Sequence, residues 1–187
     1  PLIVNKQTGV KFGKSEGGAI WLDSKKTSPY KFYQFWLNDD DETAEDLIKI
    51  YTLLPKDVVD RLIGRHRENP SERELQKTLA HEVTTLIHGS ERCGSVKKVT
   101  EVLFGSKQLN ELDEKDIDEL ANEIPTVSPA GIQQVLLEAG LASSGGEARR
   151  FVEAGAVKVN GMKVDSLHNV DAPSLVKRGK NGFALVR

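Results

Sequence analysis

A single cysteine, Cys93, and a single methionine, Met162, stand among 187 residues. One thiol cannot close an intrachain disulfide, so burial and hydrogen bonding must hold the fold, and a reducing compartment suits it. No local motif activates Cys93, which reads as a structural thiol. No apolar run approaches the ~20 residues of a membrane-spanning helix, and no signal-peptide pattern is present, so no membrane role is expected. His66, His81, His88 and His168 include no pair three apart. His81 and His88 could share one helix face, but no third ligand lies nearby, and no metal site is expected. There is little net charge either, −2 over the chain, yet its distribution is uneven: residues 1–28 carry +3, residues 29–128 carry −8 and residues 129–187 carry +3. Polyanion binding is therefore expected at the two ends.

What is present is concentrated near the start. Lys11 to Asp23 reads KFGKSEGGAIWLD, and Pro29 to Asn38 reads PYKFYQFWLN. Gly9, Gly13, Gly17 and Gly18 let the backbone approach a ligand closely, and Lys11 and Lys14 supply mobile positive charge. The segment reads as a flexible anion clamp. It is not a P-loop, because that motif needs a glycine five residues before the GKS glycine. Thr8 stands there, and Gly9 is one residue out of register.

Downstream the pattern is helical. Thr27 and Ser28 before Pro29 read as a hydroxyl cap with proline at the first helical position. Asp39, Asp40, Asp41 and Glu42 open a second helix, with Ala44, Leu47, Ile48, Tyr51 and Leu54 as its buried stripe. Pro55 starts a third through Leu62, and Gly64 to Asn69 reads as a loop. A longer helix from Pro70 or Ser71 carries Leu75, Leu79, Val83 and Leu86 inward and stops at Gly89. Another buries Val96, Val99 and Leu103 and ends near Gly105, and Asp113 to Ile124 is a last, acidic helix. The aromatics Trp21, Tyr30, Phe32, Tyr33, Phe35 and Trp36 read as core.

Pro125 to Pro129, PTVSP, reads as a linker. Beyond it come two short helices, one with Ile132, Val135, Leu136 and Ala139 closed by Gly140. The other is capped by Ser143 or Ser144, buries Ala148, Phe151 and Val152, and stops at Gly155. VKVNGMKV then alternates across Asn160-Gly161, a strong hairpin signal, and Asn181-Gly182 separates Leu175 and Val176 from Phe183 to Val186. Arg149 and Arg150 fall on the solvent side of the second helix, and Lys158, Asn160 and Lys163 flank the hairpin turn, so a basic strip for a phosphate backbone is expected.

The run KFGKS, continued by Trp21, Leu22, Asp23 and the Pro29–Asn38 aromatic cluster, resembles the KMSKS loop of class I aminoacyl-tRNA synthetases in the form typical of the bacterial tyrosyl-tRNA synthetase family. The segment GLASSGGEARRFVEAGAVKVNG is similar to the ribosomal-protein-S-four-type RNA-binding module through Leu136, Gly140, Ser144, Ala148, Arg149, Gly155, Val157, Val159, Asn160 and Gly161. Its usual Arg-Leu-Asp opening is replaced by Ala130, Gly131 and Ile132.

The resemblance implies a mainly α-helical domain followed by a small α+β RNA-binding module, with the parent's Rossmann-type catalytic domain and its HIGH motif absent. The implied organisation is the end of a catalytic domain at 1–28, a helical tRNA-binding domain at 29–124, a linker at 125–129 and the RNA-binding domain at 130–187. The chain is accordingly expected to be the C-terminal region of a tyrosine–tRNA ligase, cut just before its signature loop. By the same resemblance, Lys11 and Lys14 are catalytic, stabilising the triphosphate as a carboxylate attacks the α-phosphorus, and Lys11, Lys14 and Ser15 bind ATP. Positioned positive charge suits that step, since negative charge accumulates on departing pyrophosphate. RNA contacts are expected from Arg149, Arg150, Lys158, Asn160, Lys163, Lys177, Arg178 and Lys180. The parent is expected to be a cytoplasmic homodimer using tyrosine, tRNA, and ATP with magnesium, and no cofactor is expected on this chain alone. Two rivals stand beside this reading: a non-catalytic RNA-binding protein that keeps the same module, and an RNA-modifying enzyme that carries it.

Overall fold

The computed structural model describes residues 20–187, so Lys11, Lys14 and Ser15 lie outside the described residues. The chain forms two compact units that divide between Val96 and Lys97. The boundary falls inside one helix.

The first unit is helical. Ser28 caps α1 (Pro29–Leu37), its hydroxyl accepting the Lys31 N–H with Pro29 in the first turn, as the sequence predicts. The helix buries Pro29, Phe32, Tyr33 and Trp36. Phe32 meets Trp36 edge-on at 6.0 Å and His88 at 4.8 Å, and Trp36 stacks obliquely on Tyr51 at 5.0 Å. Such aromatic contacts add to the burial itself. Trp21 departs from the expected core role: it is half exposed, with the Lys26 ammonium 4.0 Å over its ring.

Asp40 caps α2 (Asp41–Tyr51), accepting both the N–H and the hydroxyl of Thr43. The helix α3 (Lys56–Glu68) corrects the sequence reading, which placed a loop at Gly64 to Asn69. It continues because Ile63 and His66, one turn beyond Val59 and Leu62, complete a buried stripe, and the exposed Gly64 costs little there. A 3₁₀ turn, Pro70–Glu72, precedes α4 (Glu74–His88), so the fourth helix starts later than expected. Arg73 between them takes φ +51° and its guanidinium donates to the carbonyls of Leu37 and Asp39 at 2.7 and 3.0 Å. The buried face of α4 is Leu75, Gln76, Leu79, Ala80, Val83 and Thr84, while Leu86, expected inside, is exposed. Toward the end of the helix the inward row passes to Ala80, Thr84 and His88, whose ring meets Phe32, and Leu86, two residues from both Thr84 and His88, points away from that row.

Three polar side chains are gathered in this unit. The Asp41 carboxylate meets buried His66 through Nε2 at 3.0 Å and accepts from the buried Gln76 amide at 2.6 Å. Buried Cys93 lies 3.2 Å from His81 Nδ1. Gly89 at φ +86° separates α4 from α5 (Ser90–Phe104).

The second unit is a sheet between helices. A 3₁₀ turn, Leu109–Glu111, and α6 (Glu114–Glu123) follow α5, the latter capped reciprocally by Asp113 and Asp116. Residues 125–129, expected as a linker, instead carry β1 (Thr126–Val127), which pairs parallel with the last strand of the chain. The unpaired edge of that strand accounts for the difference: Pro125 has no N–H, but its carbonyl accepts the Leu185 N–H at 2.9 Å. Next come β2 (Ala130–Gly131), α7 (Ile132–Glu138) and α8 (Gly145–Glu153), with Ser144 as cap and Gly140 and Gly155 in the left-handed region after each helix. The strands β3 (Val157–Val159), β4 (Met162–Lys163), β5 (Asn169–Val170), β6 (Ser174–Arg178) and β7 (Gly182–Val186) complete the chain. The main sheet has the order β1-β7-β6-β3-β4, and β2 pairs with β5 separately.

Both central residues of the Asn160-Gly161 turn have positive φ, +48° and +84°, so the two-residue hairpin forms as predicted. The second Asn-Gly works differently. Arg178 pairs with Gly182, and the positive φ of that loop belongs to Gly179, so the turn spans three residues instead of lying at Asn181-Gly182. One sheet face buries Val157, Val159, Val176, Ala184 and Val186 with Ile132, Leu136 and Ala148 of the helices. On the opposite face Phe104 meets Phe183 edge-on at 5.3 Å. Among the described residues no helix is long and apolar enough to cross a membrane, and the only parallel strand pair is β1 with β7, so no Rossmann-type core is present there.

Candidate nucleic-acid interface

The second unit holds every basic residue singled out beyond the signature loop, and it sorts them by sheet face. Alternation along β3 buries Val157 and Val159 against α7 and α8 and turns Lys158 to the other side. Lys158 pairs with Lys163 on β4 and with Lys177 on β6. Directly paired residues share a face, so three lysine side chains leave the sheet in one cross-strand row. Lys177 is half buried, its ammonium 3.4 Å from the Leu103 carbonyl and 5.0 Å above the Phe183 ring. Lys158 and Lys163 are exposed.

The arginines belong to the helix side. Arg149 and Arg150 are exposed on α8, and Arg149 is tied to Glu153 one turn on at 2.7 Å. Arg178 pairs with Val157, lies on the helix face of β6, and sets its guanidinium 4.9 Å over the Phe151 ring. Glu147 sits among them: hydrogen bonds from the Ser143 hydroxyl and N–H, at 2.6 and 2.7 Å, hold its carboxyl below the usual range, aided by the positive charge of Arg150 and Arg178. Lys180 is exposed in the loop after β6. The single strip expected from sequence is thus two clusters, one of lysines on the sheet and one of arginines beside α8.

Asn160 has a structural task. Its Oδ1 accepts the Leu175 N–H at 2.9 Å, its Nδ2 donates to the Ser174 hydroxyl at 3.1 Å, and its own N–H bonds the Leu175 carbonyl at 2.9 Å. It fastens the hairpin tip to β6. Sequence reasoning missed Gln108 and Asn110, which flank that tip from the 3₁₀ turn. The signal was there in Gln108 and Glu111, spaced three apart as a capping box requires.

With this geometry in hand, comparison with known proteins gives two family matches. The model of the tRNA synthetases class I (W and Y) matches residues 1–105. The chain belongs to this synthetase family. The S4 domain, an RNA-binding module, matches residues 131–170, which contain α7, α8 and the β3–β4 hairpin. The synthetase match precedes the S4 match along the chain. Among solved structures, a C-terminally truncated Aspergillus nidulans mitochondrial tyrosyl-tRNA synthetase is 35% identical over 46% of this chain and 25% of its own, with a TM-score of 0.45. A C-terminally truncated Coccidioides posadasii mitochondrial tyrosyl-tRNA synthetase is 32% identical over 51% of this chain and 24% of its own, with a TM-score of 0.44. The synthetase chain therefore spans about a quarter of the length of these relatives. Among the described residues no group of three or more His, Cys, Asp or Glu could hold a metal ion.

Proposed function

We propose that this synthetase chain is the tRNA-binding end of a tyrosine–tRNA ligase and that it also carries the ATP-clamping loop of the parent's catalytic site. The observation that supports the RNA half of this reading is the lysine row Lys163–Lys158–Lys177. Like charges placed directly opposite across strands destabilise a sheet. A polyanion lying along the row reverses the sign of that interaction and releases counterions as it binds. Arg150 on α8 and Lys180 in the loop after β6 are read as separate phosphate contacts outside the row, and Lys177 supports the row from its half-buried position.

For the catalytic half, Lys11, Lys14 and Ser15 fall within the family match. In this reading Lys14 and Lys11 meet the triphosphate of ATP, which is bound with magnesium and attacked by the carboxylate of tyrosine. Positive charge placed where the leaving pyrophosphate develops lowers the barrier without moving a proton. The parent is read as a cytoplasmic homodimer.

Two measurements on the 187-residue chain test the proposal. Filter binding of tyrosine tRNA across a salt series should give an affinity that falls linearly on a log–log plot. Tyrosine-dependent ATP–pyrophosphate exchange should be absent, because Lys11 and Lys14 need an oriented nucleophile and ATP to act on. Salt-independent or absent tRNA binding would remove the RNA half; exchange above a no-enzyme control would remove the division of labour.

A further inference from the structure

A cleft of about 320 Å³ opens in the second unit between the 3₁₀ turn, α6 and the tip of the β3–β4 hairpin, a volume at the low end of those that hold small ligands. Its floor is apolar, with Leu109 and Leu112 buried and Ile117 half buried. Its rim consists of the carboxamides of Gln108, Asn110 and Asn160 together with the exposed Pro173 ring. None of these residues is charged. A flat group with a polar edge matches this combination, whereas a phosphate or a carboxylate does not.

Two of the carboxamides are fixed in orientation. The Gln108 side-chain oxygen accepts the Glu111 N–H in the capping box, which leaves its NH₂ group to other partners. The Asn160 oxygen accepts the Leu175 N–H, and its NH₂ group spends one hydrogen on the Ser174 hydroxyl and keeps the other. Backbone donors settle both assignments, since only an oxygen can accept from them. Both line the cleft at the hairpin tip, where a Cβ added to Gly161 would lie 3.8 Å from Gln108 Oε1 and 3.9 Å from its Nε2. The rim therefore offers preset donors, and Asn110 is exposed beside them. Lys158 stands two residues before Asn160 on the same hairpin, about 7 Å away at the ~3.3 Å rise of a strand, with Lys163 paired to it. That separation is comparable to the spacing of successive groups along a nucleic-acid strand.

We infer that this cleft receives one unstacked base of a bound RNA strand and favours guanine, with Lys158 and Lys163 holding the adjoining phosphates. The inference rests on the RNA-binding reading of the second unit. Guanine presents two neighbouring acceptors, N7 and O6, whereas adenine places its N6 donor beside N7. Preset N–H donors discriminate between those edges. Uracil separates its two acceptors by an N–H, and cytosine, whose N3 and O2 are also neighbouring acceptors, has one ring where guanine has two and covers less of the apolar floor.

The test is fluorescence anisotropy with the 187-residue chain and labelled heptauridylate, unchanged or with its central base replaced by guanine, adenine or cytosine. The guanine heptamer should bind about tenfold more tightly than the others, the discrimination of one good paired contact. Asn110→Ala should shrink that preference and Asn110→Trp, which fills the cleft, should abolish it, while circular dichroism confirms the fold. Replacing Lys158 and Lys163 together by Ala should weaken all four heptamers alike. Equal affinity for the four heptamers, or a guanine preference that survives both Asn110 variants, overturns the cleft and leaves the RNA reading standing. Heptamers that fail to bind while tRNA binds do the same. Failure of both heptamers and tRNA overturns the RNA reading and the cleft together.

Discussion

The helical unit and the sheet unit specify themselves by different means. The core of the first unit is made of large rings and long aliphatics, with Phe32, Tyr33, Trp36, Leu47 and Ile48 buried together. It also buries polar side chains, His66, Gln76 and Thr84, and Asp41 serves two of them. The core between α7, α8 and the sheet is built from Val, Ala, Leu and Ile, with Phe151 only packed against its margin. What the second unit lacks in side-chain volume it supplies in backbone geometry: Gly140, Asn160, Gly155, Gly161 and Gly179 all have positive φ, against Arg73 and Gly89 in the first. One unit is fixed by volume, the other by turns.

Breaking each unit at its own device tests the contrast. Phe32→Ala removes a fully buried ring from the first unit and should cost about 3–5 kcal/mol, the usual range for such a deletion. Both tryptophans, Trp21 and Trp36, lie in that unit, so fluorescence-monitored urea unfolding reads it alone. Hydrogen exchange in β6 and β7 should be unchanged by the substitution. In the second unit, Asn160→Ala forces alanine to φ +48° and deletes the hydrogen bonds to Ser174 and Leu175. It should cost about 2 kcal/mol, from roughly 1 kcal/mol of left-handed strain and a similar hydrogen-bond loss. That loss should register as faster exchange across β3 and β6 and leave tryptophan unfolding unmoved.

A smaller effect sharpens the electrostatic side. Burial, with Asp40 beside it, raises the Asp39 carboxyl from 3.8 to about 6. The folded chain then holds that proton more tightly than the unfolded one, so stability declines as pH rises from about 4 to about 6 and stays lower above. Asp39→Asn should stabilise the first unit by about 1 kcal/mol at pH 7.5, after allowance for solvent screening, and by nothing near pH 3.5. Urea midpoints at the two pH values measure it. The smallest expected change is in the second unit. Arg150→Ala should reduce the salt slope of tRNA binding by about one, as loss of one phosphate contact does. Arg149, already held by Glu153, should matter less.

The same contrast governs what the sequence discloses. Helices of the first unit are legible because caps and stripes are local: Ser28 before Pro29 and Asp40 before the acidic turn mark starts that the structure keeps. Their ends are less legible, since the continuation of α3 through His66 depends on Asp41, twenty-five positions away. In the second unit the Asn160-Gly161 turn could be read directly, because few residues tolerate its dihedral angles. The partition of Arg149, Arg150 and Arg178 from Lys158, Lys163 and Lys177 could not, as it depends on strand register between distant segments. The capping-box spacing of Gln108 and Glu111 is local and could be read, but the rim it belongs to could not, being defined by a hairpin tip about fifty residues downstream.

The short strand Thr126–Val127 has a practical bearing on how this protein is divided. It covers one side of β7, and Arg187 returns the contact by donating its N–H to the Val127 carbonyl at 3.0 Å. A fragment expressed from residue 130 would leave the β1-facing edge of β7 bare, the N–H groups of Leu185 and Arg187 among it, along an apolar strand. Open edges of that kind recruit other strands, so such a fragment invites self-association and sticky, misleading binding curves. A fragment beginning at Lys97 keeps the cover in place, and is the better starting point for anyone who wants the RNA-binding unit on its own.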